Sequence, residues 1–203
     1  MIYNLWPTRV AVTKLGYSPE FLSRLKAICL RVDAEKNPRA KPWTRQDYDI
    51  YNEPDPELAI LKRDIIAYAE KAYGVEVDQM TGRDMILRDR DLIPPHSDRD
   101  SHLSAIFYIQ TPVIPKPQEK DWNGFFILQD PSRYFDARQM PWEPCANHVI
   151  AAEEGVLVLF PSHICHFTHT MNHPEMQIEM HHELKVKHVH NSNVREGFHT
   201  EEE

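Results

Sequence analysis

The segment PPHSDRDSHLSAIFYIQT, residues 94–111, joins two prolines, a histidine-x-aspartate pair and a long apolar run. In a β-strand, side chains two residues apart point the same way, so His96 and Asp98 are placed to hold one ion together. A polar turn before a strand is the plainer interpretation, because His-x-Asp arises readily by chance in a chain with 12 histidines. A metal site is indicated only if a third ligand lies elsewhere in the chain.

A third ligand is available in the segment GVLVLFPSHICHFTHTM, residues 155–171, where an apolar strand ends among several histidines. His166 is the candidate ligand, and His163 and His169, three residues to either side, are the alternatives. Two histidines and one carboxylate on one face of an octahedral ion leave three positions open, as in non-haem Fe(II) oxygenases. A separate zinc or nickel site made of His163, His166, His169 and His173 is a further alternative.

The size and charge of the chain restrict the classes of protein to which it can belong. Its 203 residues suffice for one well-buried domain, and a formal net charge of −8 disfavours nucleic acid and anionic membranes as partners. No apolar run is long enough to span a bilayer, and we expect no export signal. Because Cys29, Cys145 and Cys165 are scattered and form no CxxC pair, we expect free thiols and a cytoplasmic location.

Apolar periodicity predicts helices first and strands afterwards. Helices are expected over residues 19–32 and 56–73, after a short N-terminal strand, with Ser18, Asp55 and Gly74 as capping residues. After residue 74 the segments VEVDQ, DMILRDRDLI, LSAIFYIQT, GFFILQD, GVLVLFPS and MQIEMHHELKVKHV are predicted strands. This order predicts one α+β domain over residues 1–203, with a polar tail from about residue 192 and with both helices on one sheet of an antiparallel sandwich or barrel.

The order of these motifs resembles the 2-oxoglutarate/Fe(II)-dependent oxygenases, which have a double-stranded β-helix (jelly-roll, cupin-like) fold. The resemblance runs from about residue 3 to about residue 182 and rests on LWPTRVAV, HxD, SAIFYIQTP, GFFILQDP and GVLVLFPSHICH. It implies that His96, Asp98 and His166 bind Fe(II), that 2-oxoglutarate is the cosubstrate, and that the protein is a dioxygenase that hydroxylates or otherwise oxidises its substrate. A cupin-like metal-binding protein without turnover is the alternative.

The chain departs from this family at one position. Members usually carry an arginine about ten residues after the second metal-binding histidine, and its guanidinium binds the far carboxylate of 2-oxoglutarate. Met176 and Gln177 stand there in this chain, and no arginine occurs between residues 138 and 195. The cosubstrate-binding residues are therefore expected elsewhere, among Arg88, Arg90 and Tyr108, with Lys185 as another option.

The remaining expectations concern the substrate and the surface. Two long connections, residues 112–123 and 131–148, are candidate substrate lids, with Trp122 and Tyr134 near the mouth of the site. The substrate is expected to be a small molecule or a peptide, without nucleic acid or membrane as a partner, and a homodimer is one option for the oligomeric state. The other histidines are expected on a solvated strand or tail: His181, His182, His188 and His190.

Overall fold

The fold is taken from a computed structural model, which describes residues 8–36, 48–112, 123–130 and 147–187. Expectations for Cys145, for Trp122 and Tyr134, for most of the two long connections and for the tail from residue 188 lie outside the described residues. Among the residues that are described, no helix is long and apolar enough to cross a membrane.

In the part of the chain that the structure describes, two α-helices precede the main body of the sheet. The first, α1, spans Pro19–Lys36, four residues beyond the predicted end, and the backbone N–H of Phe21 donates to Ser18 Oγ at 3.3 Å. The second, α2, spans Pro56–Tyr73 as predicted and ends at Gly74, whose φ of 69° is the left-handed conformation favoured by glycine. Asp55 lies at the start of α2 but makes no side-chain cap, because its carboxylate accepts from Arg31 instead.

Within the described residues, nine strands make up two antiparallel sheets. They are β1 Ala11–Lys14, β2 Val77–Leu87, β3 Ile93–His96, β4 Leu103–Gln110, β5 Phe126–Gln129, β6 Asn147–Ile150, β7 Val156–Pro161, β8 His166–Thr168 and β9 Gln177–Val186. One sheet has the order β1-β7-β4-β9-β2 and the other has the order β3-β8-β5-β6. This is the predicted double-stranded β-helix.

The helices pack on the outer face of the five-stranded sheet. Leu25 of α1 and Leu61 of α2 are fully buried in one cluster with Phe107 of β4 and Met180 of β9. A second cluster, which includes Phe126 and Phe160, lies between the two sheets. The α+β prediction, with both helices on one sheet, is therefore confirmed.

The sequence prediction was wrong about the strands around residue 88. It placed one strand at VEVDQ and another over residues 84–93, whereas β2 runs without interruption to Leu87 and the chain then turns into β3. Asp91 makes this turn, because its carboxylate accepts from the backbone N–H of Arg88 and its own N–H donates to the Arg88 carbonyl. Strands β3, β6 and β8 have only three or four residues each and were not predicted.

Strand β9 has two chemically different faces. Ile178, Met180 and Leu184 pack towards the helices in the larger core cluster. The alternate residues are all polar and point between the sheets. Their contacts show this direction, because Gln177 contacts the carbonyl of Gly124 and Glu179 lies 3.5 Å from the hydroxyl of Thr168 on β8. This inner polar face comprises Gln177, Glu179, His181 and Glu183.

Candidate metal centre

The strand pairing brings the candidate metal ligands together. His96 is the last residue of β3 and His166 the first of β8, and the two residues are direct partners in the antiparallel register. Their ring centroids lie 4.2 Å apart. Asp98 follows in the loop after β3, and its backbone N–H donates at 3.1 Å to the carbonyl of Ser162, which lies just after β7.

The donor atoms of these three residues converge. Asp98 Oδ1 lies 3.8 Å from His96 Nε2, and Asp98 Oδ2 lies 3.8 Å from His166 Nε2. One ligand atom from each residue falls within 4.8 Å of the other two. Two donors on neighbouring positions of an octahedral ion lie about 3 Å apart, so an ion could be held after shifts of less than about 1 Å.

Both histidine rings are fixed in the orientation that a metal needs. His96 Nδ1 lies 2.8 Å from the carbonyl oxygen of Pro94, and His166 Nδ1 lies 3.0 Å from that of Ile164. A carbonyl oxygen only accepts hydrogen bonds, so each Nδ1 carries the proton and each Nε2 lone pair faces Asp98. Burial, together with the neighbouring His96, lowers the pKa of His166 to about 4, which keeps this ring neutral at pH 7.

A chain of hydroxyl groups holds the Asp98 carboxylate. Ser104 Oγ on β4 donates to Asp98 Oδ2 at 2.5 Å. Ser162 Oγ lies 2.8 Å from Ser104 Oγ and 2.8 Å from Ser101 Oγ. The hydroxyl of Ser104 therefore fixes the orientation of the Asp98 carboxylate. The spacing of these serines along the chain carries no signal of the network, so their role was not predicted.

The alternative ligands are not part of this group. His163 is exposed in the turn after β7, although it lies only three residues from His166. Among the described residues, the set whose donor atoms converge is His96, Asp98 and His166. His166 rather than His163 or His169 is therefore the histidine that the fold brings to Asp98.

The three residues line a cavity of about 340 Å³ between the sheets. Phe160 and Phe126 flank His166, with ring centroids 4.8 and 5.7 Å from its own, and form an apolar wall. Two arginines that the sequence analysis did not single out also line the cavity, Arg83 on β2 and Arg99 after Asp98. The side chain of Arg83 is 23% exposed and forms an ion pair with Glu183.

The arginines predicted to bind the cosubstrate lie elsewhere. Arg88 follows the end of β2, is half exposed and pairs with Asp33 of α1 at 3.1 Å. Arg90 has a φ of 68° in the turn before β3 and is 88% exposed. Neither arginine lines the cavity, because position 88 continues the helix-facing side of β2, on which Ile86 lies, and Arg90 lies in the turn.

Tyr108 and Lys185, the other predicted cosubstrate residues, do not line the cavity either. Tyr108 is fully buried, and its hydroxyl has no hydrogen-bond partner among the described residues. Burial, together with the charge of Glu179, raises the pKa of Tyr108 well above its usual value. Lys185 lies near the end of β9 and is exposed.

The prediction that His181 and His182 are solvated was wrong. Strand β9 lies between β4 and β2, so neighbouring strands and both sheet faces cover these residues. His182 faces the helices, with its Nδ1 3.3 Å from Tyr51 Oη, and burial lowers its pKa to about 3. His181 points between the sheets and lines the cavity.

Comparison with known proteins agrees with this geometry. A family model described as "Putative 2OG-Fe(II) oxygenase" matches residues 84–183, the segment that contains all three candidate ligands. No curated protein matches the sequence.

Solved structures show the same fold. A prolyl-4-hydroxylase from Pseudomonas putida has 15% identity and a TM-score of 0.58, over 89% of each chain. The 2-oxoglutarate-dependent carbocyclase SnoK of nogalamycin biosynthesis has 13% identity and a TM-score of 0.65, over 88% of this chain and 80% of its own. HygX from Streptomyces hygroscopicus, with nickel and 2-oxoglutarate bound, has 12% identity and a TM-score of 0.63, over 88% and 83%. Over residues 84–183 the chain is therefore similar to the 2-oxoglutarate/Fe(II)-dependent oxygenases, and it shares the fold of these solved structures.

Proposed function

We propose that His96, Asp98 and His166 hold the Fe(II) of this oxygenase, and that the substrate is a small molecule or a peptide that enters the cavity beside them. The observation that carries the assignment is the convergence of Asp98 with two Nε2 atoms whose rings are fixed by backbone carbonyls. Two imidazoles and one carboxylate form the ligand set of non-haem Fe(II) oxygenases. When bound by these residues, Fe(II) would supply the activation of oxygen that accompanies the decarboxylation of 2-oxoglutarate to succinate.

The surrounding residues orient the three ligand side chains and provide an apolar surface beside them. Ser104 fixes the Asp98 carboxylate, and the backbone carbonyls of Pro94 and Ile164 fix the two rings. Phe126 and Phe160 cover the buried side of His166 and exclude water from it. Such supporting contacts keep metal ligands oriented before the metal binds.

The test is a metal titration of the metal-free protein under anaerobic conditions, with Fe(II) and then with Mn(II). One ion is expected to bind per chain, and His96→Ala, Asp98→Ala and His166→Ala should each remove binding. His163→Ala is the matched control, because this exposed histidine lies three residues from His166 and should leave binding unchanged. Binding that survives Asp98→Ala would refute the assignment.

Turnover is tested separately, as succinate released from 2-oxoglutarate by the Fe(II)-loaded protein across a panel of small molecules and peptides. Metal binding without any binding of 2-oxoglutarate would instead support a metal-binding barrel without turnover.

Cys29 and Cys165 are free thiols, which supports a reducing, cytoplasmic compartment. A homodimer remains a proposal, to be checked by the mass of the protein in solution.

A further inference from the structure

The inner face of β9 carries negative charge where a cation is usual in this family. Glu179 is fully buried, and its carboxylate accepts from Gln177 Nε2 at 2.8 Å. His181 Nε2 lies 2.8 Å from the other carboxylate oxygen and donates to it. Among the described residues no lysine or arginine contacts Glu179. A second carboxylate brought to this end of the barrel would meet like charge at low dielectric, which is costly.

A cation does face the cavity on the neighbouring strand. Arg83 of β2 is the direct cross-strand partner of His181, and it lines the cavity together with His96, Asp98 and His166. Met85, two residues further along β2, packs between the sheets with Ile93, which shows that this face of the strand points inwards. The guanidinium is paired with Glu183, which also lines the cavity.

We propose that Arg83 binds the carboxylate of 2-oxoglutarate that lies farthest from the keto group. The inference rests on the proposed function, since it needs the keto acid at the metal. Arginine suits this task because its planar guanidinium can bind a carboxylate through two parallel hydrogen bonds. On binding, the cosubstrate takes the place of Glu183 as the partner of Arg83.

The role of Glu183 gives the proposal a second, opposite prediction. In the free protein Glu183 competes for the guanidinium, so binding of the cosubstrate must break this ion pair. Glu183→Gln removes the competing charge and keeps the side-chain volume. This variant should therefore bind 2-oxoglutarate more tightly than the parent, whereas Arg83→Gln should bind it more weakly.

The experiment is calorimetry on Mn(II)-loaded protein with two ligands that differ at one end. 2-Oxopentanoate has the keto acid of 2-oxoglutarate but carries a methyl group in place of the far carboxylate. Arg83→Gln should lower the affinity for 2-oxoglutarate about tenfold or more, the usual effect of losing a charged hydrogen-bond pair, and leave that for 2-oxopentanoate within about twofold. Arg83→Lys should be intermediate.

The matched control is Arg88→Gln, another arginine paired with a carboxylate but outside the cavity, which should change neither affinity. Mn(II) titration of every variant shows whether the site still forms. An unchanged affinity of Arg83→Gln for 2-oxoglutarate, an equal loss for both ligands, or a loss caused by Arg99→Gln instead would overturn the proposal. Failure of the parent to bind either keto acid would count against the proposed function itself.

Discussion

Ser104 Oγ donates a hydrogen bond of 2.5 Å to Asp98 Oδ2, and so a central strand of the larger sheet reaches the only acidic member of the candidate metal centre. The bond crosses from β4 to the loop after β3 and joins the two sheets at the cavity. It holds the carboxylate in place before a metal binds.

Removing this bond should weaken metal binding without removing a ligand. Ser104→Ala is expected to lower the affinity for Mn(II) about tenfold, as substitutions of groups that orient metal ligands usually do. Ser101→Ala is the matched control, because Ser101 contacts Ser162 rather than Asp98 and should have a smaller effect. Equal affinities in Ser104→Ala and the parent, measured by competition with a chelator, would show that the carboxylate needs no such support.

Metal binding should stabilise the fold through the same residues. A ligand that binds only the folded state at one hundred times its dissociation constant adds about 2.7 kcal/mol to the free energy of unfolding. Urea unfolding of the parent should shift by about this amount on addition of Mn(II) at that concentration. Asp98→Asn should show little shift, and a full shift in this variant would contradict the assignment of Asp98.

Asp84 should make stability depend on pH. It lies on the helix-facing side of β2, both of its carboxylate oxygens lack hydrogen-bond partners among the described residues, and burial raises its pKa from 3.8 to about 6. The folded protein therefore holds this proton more tightly than the unfolded chain does. Its contribution to stability is intact below about pH 4, falls as pH rises towards 6, and is lost above that.

Asp84→Asn tests this dependence because asparagine stays neutral at every pH. The difference of about two pKa units corresponds to about 3 kcal/mol, so the variant should exceed the parent by up to about that free energy of unfolding at pH 8. At pH 4 the two proteins should differ little. A constant difference across this range, measured by urea unfolding, would show that Asp84 does not titrate as stated.

A side chain at position 82 should destabilise the fold. A Cβ at this position would lie 2.6 Å from Cε2 of the Tyr51 ring and 3.0 Å from His182 Nδ1. Gly82→Ala is expected to lower the free energy of unfolding by about 1–3 kcal/mol, the usual cost of overpacking. Gly16→Ala, where a Cβ would meet nothing within 4 Å, is the control and should be neutral or slightly stabilising.

The sequence predicted the features that depend on neighbouring residues. The start of α1 at Pro19 and the end of α2 before Gly74 follow from capping residues and apolar spacing, which are local signals. The expectation for His96, Asp98 and His166 used spacing and strand ends, supported by the family resemblance.

Features that depend on strand pairing could not be predicted from the sequence alone. Arg83 faces the cavity beside His181 because β2 pairs with β9 in one particular register, and no local pattern specifies that register. The same pairing buries His181 and His182, which had been expected in solvent. Arg88 continues the helix-facing side of β2, on which Met80 and Ile86 lie, and pairs there with Asp33 of α1.

Because the two faces of β9 differ, its pairing register determines both the hydrophobic core and the lining between the sheets. A slip of one residue in its pairing would turn Ile178, Met180 and Leu184 inwards and carry Glu179 and His181 to the helices. Such a misfolded chain would lose both its hydrophobic contacts and its cosubstrate pocket. Binding of the keto acid would therefore require β9 to be paired in its correct register.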